Sequence, residues 1–162
     1  MTPRIGLARN TARNLIKELK IITPPVFLSP IIKHLKFNAS PYDLNEDISG
    51  IQVTMSDECF ILYNKSDHVH RKRFTVAHEI GNFLLNHTNY KQDYFDLFSK
   101  DSMEIEANQF AAELLIPLEF LKEELKGWKK AKELALKFWV SKTAMDWRLR
   151  ETGLYTKLLS WD

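Results

Sequence analysis

Thr75-Val76-Ala77-His78-Glu79-Ile80-Gly81-Asn82 is the stretch on which the reading of this chain turns. Val76, Ile80, Phe83 and Leu84 fall at i, i+4, i+7 and i+8, one face of a helix running from about Arg71 to about Asn86. His78, Asn82 and Asn86 stand one above another on the opposite side. Two imidazoles four residues apart on a helix differ by only about 40° around its axis, so both reach one zinc ion. A glutamate directly after the first histidine points about 100° away and can take a proton from metal-bound water. A third ligand then comes from another helix, leaving the fourth position for that water, whose pKa zinc lowers towards about 7. His78 and Glu79 are in place here, but the i+4 position holds Asn82. Taken alone, the pair is weak evidence and reads sooner as an ordinary polar helix face.

On the N-terminal side, Leu7, Ala8, Ala12, Leu15, Ile16 and Leu19 make an amphipathic helix that should dock on the body. Pro24-Pro25 should end it, because the residue before a proline avoids helical angles. Ser29-Pro30 reads as an N-cap and first helical position, opening a short helix through Ile31, Ile32 and Leu35. Ile51, Val53 and Met55 alternate with polar residues, Ser56-Asp57-Glu58 turns, and Cys59 to Tyr63 returns, so a β-hairpin is expected. Thr88 to Ser102, with Tyr90, Tyr94, Phe95 and Phe98, reads as a loop. Met103, Ala107, Phe110, Ala111 and Leu114 then repeat the helical stripe until Pro117. A charged helical stretch broken near Gly127 follows. Last come a helix to Phe138, a turn at Trp139-Val140, a helix capped by Ser141, and Gly153 past its end. Helices around two or three strands make an α+β domain.

Arg73-Phe74-Thr75-Val76-Ala77-His78-Glu79-Ile80-Gly81 and Glu106-Ala107-Asn108-Gln109-Phe110-Ala111-Ala112-Glu113-Leu114-Leu115-Ile116-Pro117, in that order, resemble the ImmA/IrrE family of zinc metallopeptidases. Ser49-Gly50 ahead of the hairpin, and Leu134 to Ser141 through Arg148-Leu149, extend the resemblance over roughly residues 20 to 155. It implies a small zincin-like domain with a short antiparallel sheet, an active-site helix and a C-terminal helix-turn-helix-like pair. The expected layout is a single unit over 1–162, with an N-terminal helix (1–22), a peptidase core (23–117) and a C-terminal helical region (118–162). Carried over position by position, His78 is the first zinc ligand, Glu79 the catalytic base and Glu106 the third ligand. Asn82 takes the second histidine's place.

The implied activity is site-specific cleavage of a helix-turn-helix transcriptional repressor, in a mobile-element or stress-response setting. The alternative is a catalytically impaired relative that binds the repressor without cutting it. Asn82 keeps the alternative open, because a neutral, hard amide oxygen suits calcium or magnesium better than zinc. Even a change behind the ligands costs roughly 10–100-fold in metal affinity, and a lost imidazole costs at least that. His87 lies nine residues from His78, about 180° around a regular helix, and faces away unless the helix ends before it.

The remaining features narrow the field. With 162 residues, 44% hydrophobic and 27% charged, the composition excludes a disordered tail, a collagen-like chain or a coiled-coil rod. A net charge of +2 does not announce nucleic acid, and the mixed charges after Ser141 favour packing of the last helix over DNA reading. Cys59, the single cysteine, excludes an internal disulfide and reads as a small core residue. No apolar run approaches the roughly 18–20 residues that span a bilayer, and a cytoplasmic location is expected over a transit peptide at the Arg-rich start. Glu113 reads as a surface acid, and His68 and His70 as residues of a loop or strand end.

Overall fold

A computed structural model describes residues 2–55, 58–87, 100–127 and 130–158. The order is α1 (Ile5–Glu18), α2 (Leu28–His34), β1 (Phe37–Tyr42), β2 (Gly50–Met55), β3 (Glu58–Asn64), α3 (Val69–Leu84), α4 (Ser102–Leu115), α5 (Leu118–Glu124), α6 (Ala131–Phe138) and α7 (Lys142–Glu151). A short 3-10 turn, Tyr155–Lys157, follows. The α+β architecture is as expected. The residues of the expected loop from Thr88 through Ser99, with its four aromatic residues, lie outside the described residues, as do Ser56 and Asp57 of the hairpin turn.

The sheet corrects one expectation. Strands β2 and β3 form the antiparallel hairpin, with Val53 opposite Phe60. The third strand, β1, pairs in parallel with β3, Phe37 opposite Cys59, so the sheet is mixed in the order β1-β3-β2. Pro41 is tolerated because β1 is an edge strand, where a missing N–H breaks no ladder bond on the open side.

Helices α1, α2, α3, α6 and α7 end by one device. At Lys20, Lys36, Asn86, Trp139 and Gly153 the backbone turns left-handed, with φ between 53° and 70°. Around Asn86 the N–H of Asn86 bonds to Phe83 O and that of His87 to Asn82 O, the double closure of a Schellman motif. The first helix therefore ends at Glu18 and is closed by the left-handed Lys20, with Ile21 N–H reaching Ile16 O, well before Pro24-Pro25. The second begins at Leu28, one residue ahead of the expected serine cap. Ser141 does cap α7, its Oγ accepting from Ala144 N–H, and Asp101 caps α4 through Met103 and Glu104 N–H.

Helix α3 packs on the sheet and on α4, and α1 packs on α4. Ala8 and Ala12, both without exposed surface, are small enough for close approach of the helices. Ile61, Ile80, Phe110, Leu114, Phe138 and Leu149 lie fully inside. Cys59 is buried as expected, and burial pushes its thiol up to about 11.

Glu113 is not a surface acid. It is 1% exposed, binds Arg13 of α1 at 3.0 Å, accepts Leu118 N–H at the start of α5, and pairs with the fully buried Arg148 of α7. An arginine spent in this way is not available to DNA, and α7 packs against the core.

Candidate functional site

The approach to the site is fixed by Asn64. Its side-chain amide donates to Leu44, Asn45 and Ile48 carbonyls at 3.3, 3.1 and 3.0 Å, and its Oδ1 accepts from Ser66 N–H. Asn64 N–H also bonds to Ser49 O, and Arg71 donates to Ser49 Oγ at 2.9 and 2.7 Å. These bonds pin Ser49-Gly50 at the start of β2, against α3. A β-carbon on Gly50 would lie 2.4 Å from Thr75 Cγ2 and 3.0 Å from Glu79 Oε1. Glycine is thus required for strand and helix to meet, and the meeting buries Glu79 to 1% exposure.

His78 is buried as well. Its Nδ1 sits 3.0 Å from Asn108 Oδ1, and its Nε2 faces Glu104 Oε2 at 3.5 Å. Asn108 therefore sets the ring orientation, in the way a hydrogen bond to the non-ligating nitrogen orients a metal-binding histidine. Glu104 and Asn108 are one turn apart on α4 and share a face.

Glu106, two residues from Glu104, points to another side of α4 and does not come to His78. Its carboxylate takes Arg4 Nε at 3.1 Å on both oxygens, Arg4 Nη2 at 2.7 Å and Arg4 N–H at 2.7 Å. His87 Nε2 stands 2.9 Å from its Oε2. Side-chain hydrogen bonds from Arg4 are the chief reason that Glu106 titrates at about 2, with His87 adding to the effect against burial. The third-ligand role expected of Glu106 thus meets a competing geometry, in which a guanidinium already occupies the carboxylate and Glu104 holds the place beside His78.

Asn82 stands on α3 where the spacing places it. Its Oδ1 is 2.8 Å from His87 Nδ1, and its Nδ2 donates to Glu79 Oε2 at 3.4 Å. His87 reaches back because α3 ends at Leu84 and the left-handed Asn86 reverses the chain. Asparagine is the commonest non-glycine residue in that conformation, so the sequence did carry a signal for the reversal. His87 comes to Asn82 and Glu106, not to His78.

The donor set can be tested against zinc. Two ligands about 2.1 Å from a tetrahedral ion lie about 3.4 Å apart, close to the 3.5 Å between His78 Nε2 and Glu104 Oε2. A catalytic centre needs a third strong protein donor. Asn82 offers only an amide oxygen that faces His87, and among the described residues no group of three His, Cys, Asp or Glu side chains is arranged to hold a metal. Among the described residues two positions are fitted, short of the three strong donors of a hydrolytic zinc centre.

A helix carrying His78-Glu79 under a small sheet, with a second helix presenting a carboxylate to the imidazole, defines a zincin-like metallopeptidase fold. The family model described as the IrrE N-terminal-like domain matches residues 36–150, and the chain belongs to this ImmA/IrrE family of metallopeptidases. It is 30% identical over 114 residues to immunity region protein 2 of Bacillus phage phi105, covering 68% of this chain and 69% of that one. A Mycobacterium tuberculosis transcriptional regulator shares the fold with a TM-score of 0.64 at 16% identity. That match covers 88% of this chain, which spans about half (46%) of the regulator's length. Among the described residues no helix is long and apolar enough to cross a membrane.

Proposed function

We propose that this chain is a repressor-binding member of its family that engages a helix-turn-helix repressor without cutting it. One observation carries the reading. The place of the second imidazole holds the Asn82 amide, and that amide is engaged by His87 and Glu79. The phage relative's name, an immunity region protein, supports a repressor as the partner. Among the described residues no strand pairs with the outer edge of β2, beside Glu79, and that edge can receive an extended segment of such a partner.

Cleavage is the second reading, favoured by the retained His78–Glu104 separation and by Glu79 in the position of a general base. It requires a third strong donor.

The two readings part in one experiment. The purified chain is incubated with candidate helix-turn-helix repressors, with and without a chelator, and zinc content is measured alongside for the unmodified protein and Asn82→His. Binding reads as an intact repressor in a stable complex indifferent to chelator, with near-equimolar zinc only in Asn82→His. Repressor fragments that chelator abolishes, or tight equimolar zinc in the unmodified protein, would overturn it in favour of cleavage.

A further inference from the structure

Strand β2 carries its apolar residues on the side away from its own core. In the antiparallel register Gly50, Gln52 and Thr54 lie opposite Tyr63, Ile61 and Cys59, and opposite residues share a face. That face meets the helices: Ile61 and Cys59 belong to the core, and a β-carbon on Gly50 would strike Thr75 of α3. The alternating set Ile51, Val53 and Met55 therefore points outward, opposite Leu62, Phe60 and Glu58. Tyr42 joins this outer face from β1. Among the described residues none of Ile51, Val53, Met55, Phe60, Leu62 and Tyr42 packs against the core, and Met55 and Tyr42 are 62% and 57% exposed. Alternation normally puts the apolar set of a strand on its buried face, and a contiguous apolar patch left outside marks a place for a partner.

The charges around the patch say what kind of partner. Residues 36–65 hold five acids, Asp43, Glu46, Asp47, Asp57 and Glu58, against Lys36 and Lys65, in a chain whose net charge is +2. Asp43, Glu46 and Asp47 are exposed in the connection from β1 to β2, at one end of the sheet, and exposed Glu58 stands at the other end, opposite Met55. Lys65 is taken by Asp43 at 2.5 Å. A second copy of this face, or an anionic lipid surface, would bring like charge to like. We infer that the outer face of the sheet docks a basic amphipathic helix of the partner, its apolar side chains laid over Val53 and Phe60 and its cations over the acids at the ends. The six residues of β2 span about 20 Å, the length of a helix of about 13 residues. This docking rests on the partner proposed above: a protein that binds DNA carries cations to meet phosphates, and here such a helix finds both apolar surface and acids.

The test uses the whole chain with labelled Ile, Leu, Val and Met methyl groups, and a synthetic helix of about 15 residues with leucine at helical spacing and lysine elsewhere. Its counterpart carries glutamate in place of lysine. The lysine helix is expected to shift the methyl signals of Ile51, Val53, Met55 and Leu62, while Ile61 on the inner face holds still. It should bind at least about tenfold tighter than the glutamate helix, and loosen as salt is raised. Met55→Lys combined with Glu58→Lys, both at exposed positions, should weaken it about tenfold. Leu136→Lys, at a similarly exposed apolar residue on α6, should leave it unchanged.

Equal binding of the two helices, shifts that fall elsewhere, or an unmoved set would overturn the assignment. So would sedimentation that finds a dimer split by Met55→Lys, or phosphatidylglycerol vesicles shifting the same methyl groups. Comparing the two helices needs no variant, so it decides the matter even where the doubly substituted chain fails to fold. No repressor enters the measurement. A lysine helix that fails to dock leaves repressor binding to its own experiment, and a repressor that fails there leaves a docked lysine helix in place.

Discussion

Glu104 and Glu106 stand two residues apart near the start of α4 and are set to different tasks. Glu104 faces the imidazole of His78, while Glu106 is held by Arg4 and His87. In Asn82→His, which restores the missing imidazole, zinc titration should separate them. Glu104→Gln is expected to lower zinc affinity by at least about 10–100-fold, and Glu106→Gln by less. The reverse order would restore Glu106 as the ligand and remove Glu104. The His78-Glu79 pair and the departure at Asn82 were legible in the sequence, because spacing within one helix fixes which residues share a face. The choice between two acids was not. They lie about 200° apart around α4, and which one meets His78 depends on how α4 is rotated as it docks, a property of Gly81 and Phe110 more than of the acids. The place of His87 hung on a condition that the sequence names but does not decide, whether α3 ends before it; Asn86 ends α3 and turns the ring to Asn82 and Glu106, not to His78.

Helices α3 and α4 meet where a glycine makes room. A β-carbon on Gly81 would lie 2.8 Å from Phe110 Cδ1 and 3.1 Å from Phe110 Cβ, and Phe110 is fully buried with nowhere to retreat. Alanine would gain up to about 1 kcal/mol of helix propensity, but overpacking typically costs about 1–3 kcal/mol. Gly81→Ala should therefore lower the denaturant midpoint. Gly6→Ala in α1, where a β-carbon meets nothing within 4 Å, should raise or hold it. Equal stabilisation by both would show that the α3–α4 contact has slack. Most elements announced themselves: the amphipathic first helix, the hairpin, both site helices and the serine-capped α7 all follow from periodicity and capping. Strand β1 did not, because Phe37-Asn38-Ala39-Ser40-Pro41-Tyr42 has no apolar alternation and holds its β formers, Phe37 and Tyr42, only at the two ends, around weak ones and a proline. It is a strand because β3 offers it a parallel edge, a tertiary cause that a local pattern cannot contain.

Arg4 at the N-cap of α1, and Arg9 and Arg13 within it, each find a carboxylate on another helix. Arg4 meets Glu106 and Arg13 meets Glu113 on α4, and Arg9 meets Glu151 on α7. With Arg148 buried against Glu113, these pairs join the first and last helices to the one that carries Glu104 and Asn108. Burial of Glu113 was not legible, since it is produced by three elements converging on one side chain. An assembly of this kind should loosen in acid, and Glu106 sets part of the window. Its carboxyl titrates at about 2 in the folded chain, against 4.5 for the unperturbed group. A depressed folded pKa means that the unfolded chain takes up the proton first as pH falls. The stability that Glu106 contributes is therefore complete above about 4.5 and is lost progressively as pH falls towards about 2. Arg4→Ala removes the chief cause of the depression, so Glu106 should titrate nearer its ordinary value in that variant. The stability gap between wild type and Arg4→Ala, read from denaturant midpoints at several pH values, should be constant above pH 5 and narrow steadily towards pH 3. A gap that holds its size through that interval would mean that Arg4 contributes by packing alone, with no charge-assisted hold on Glu106.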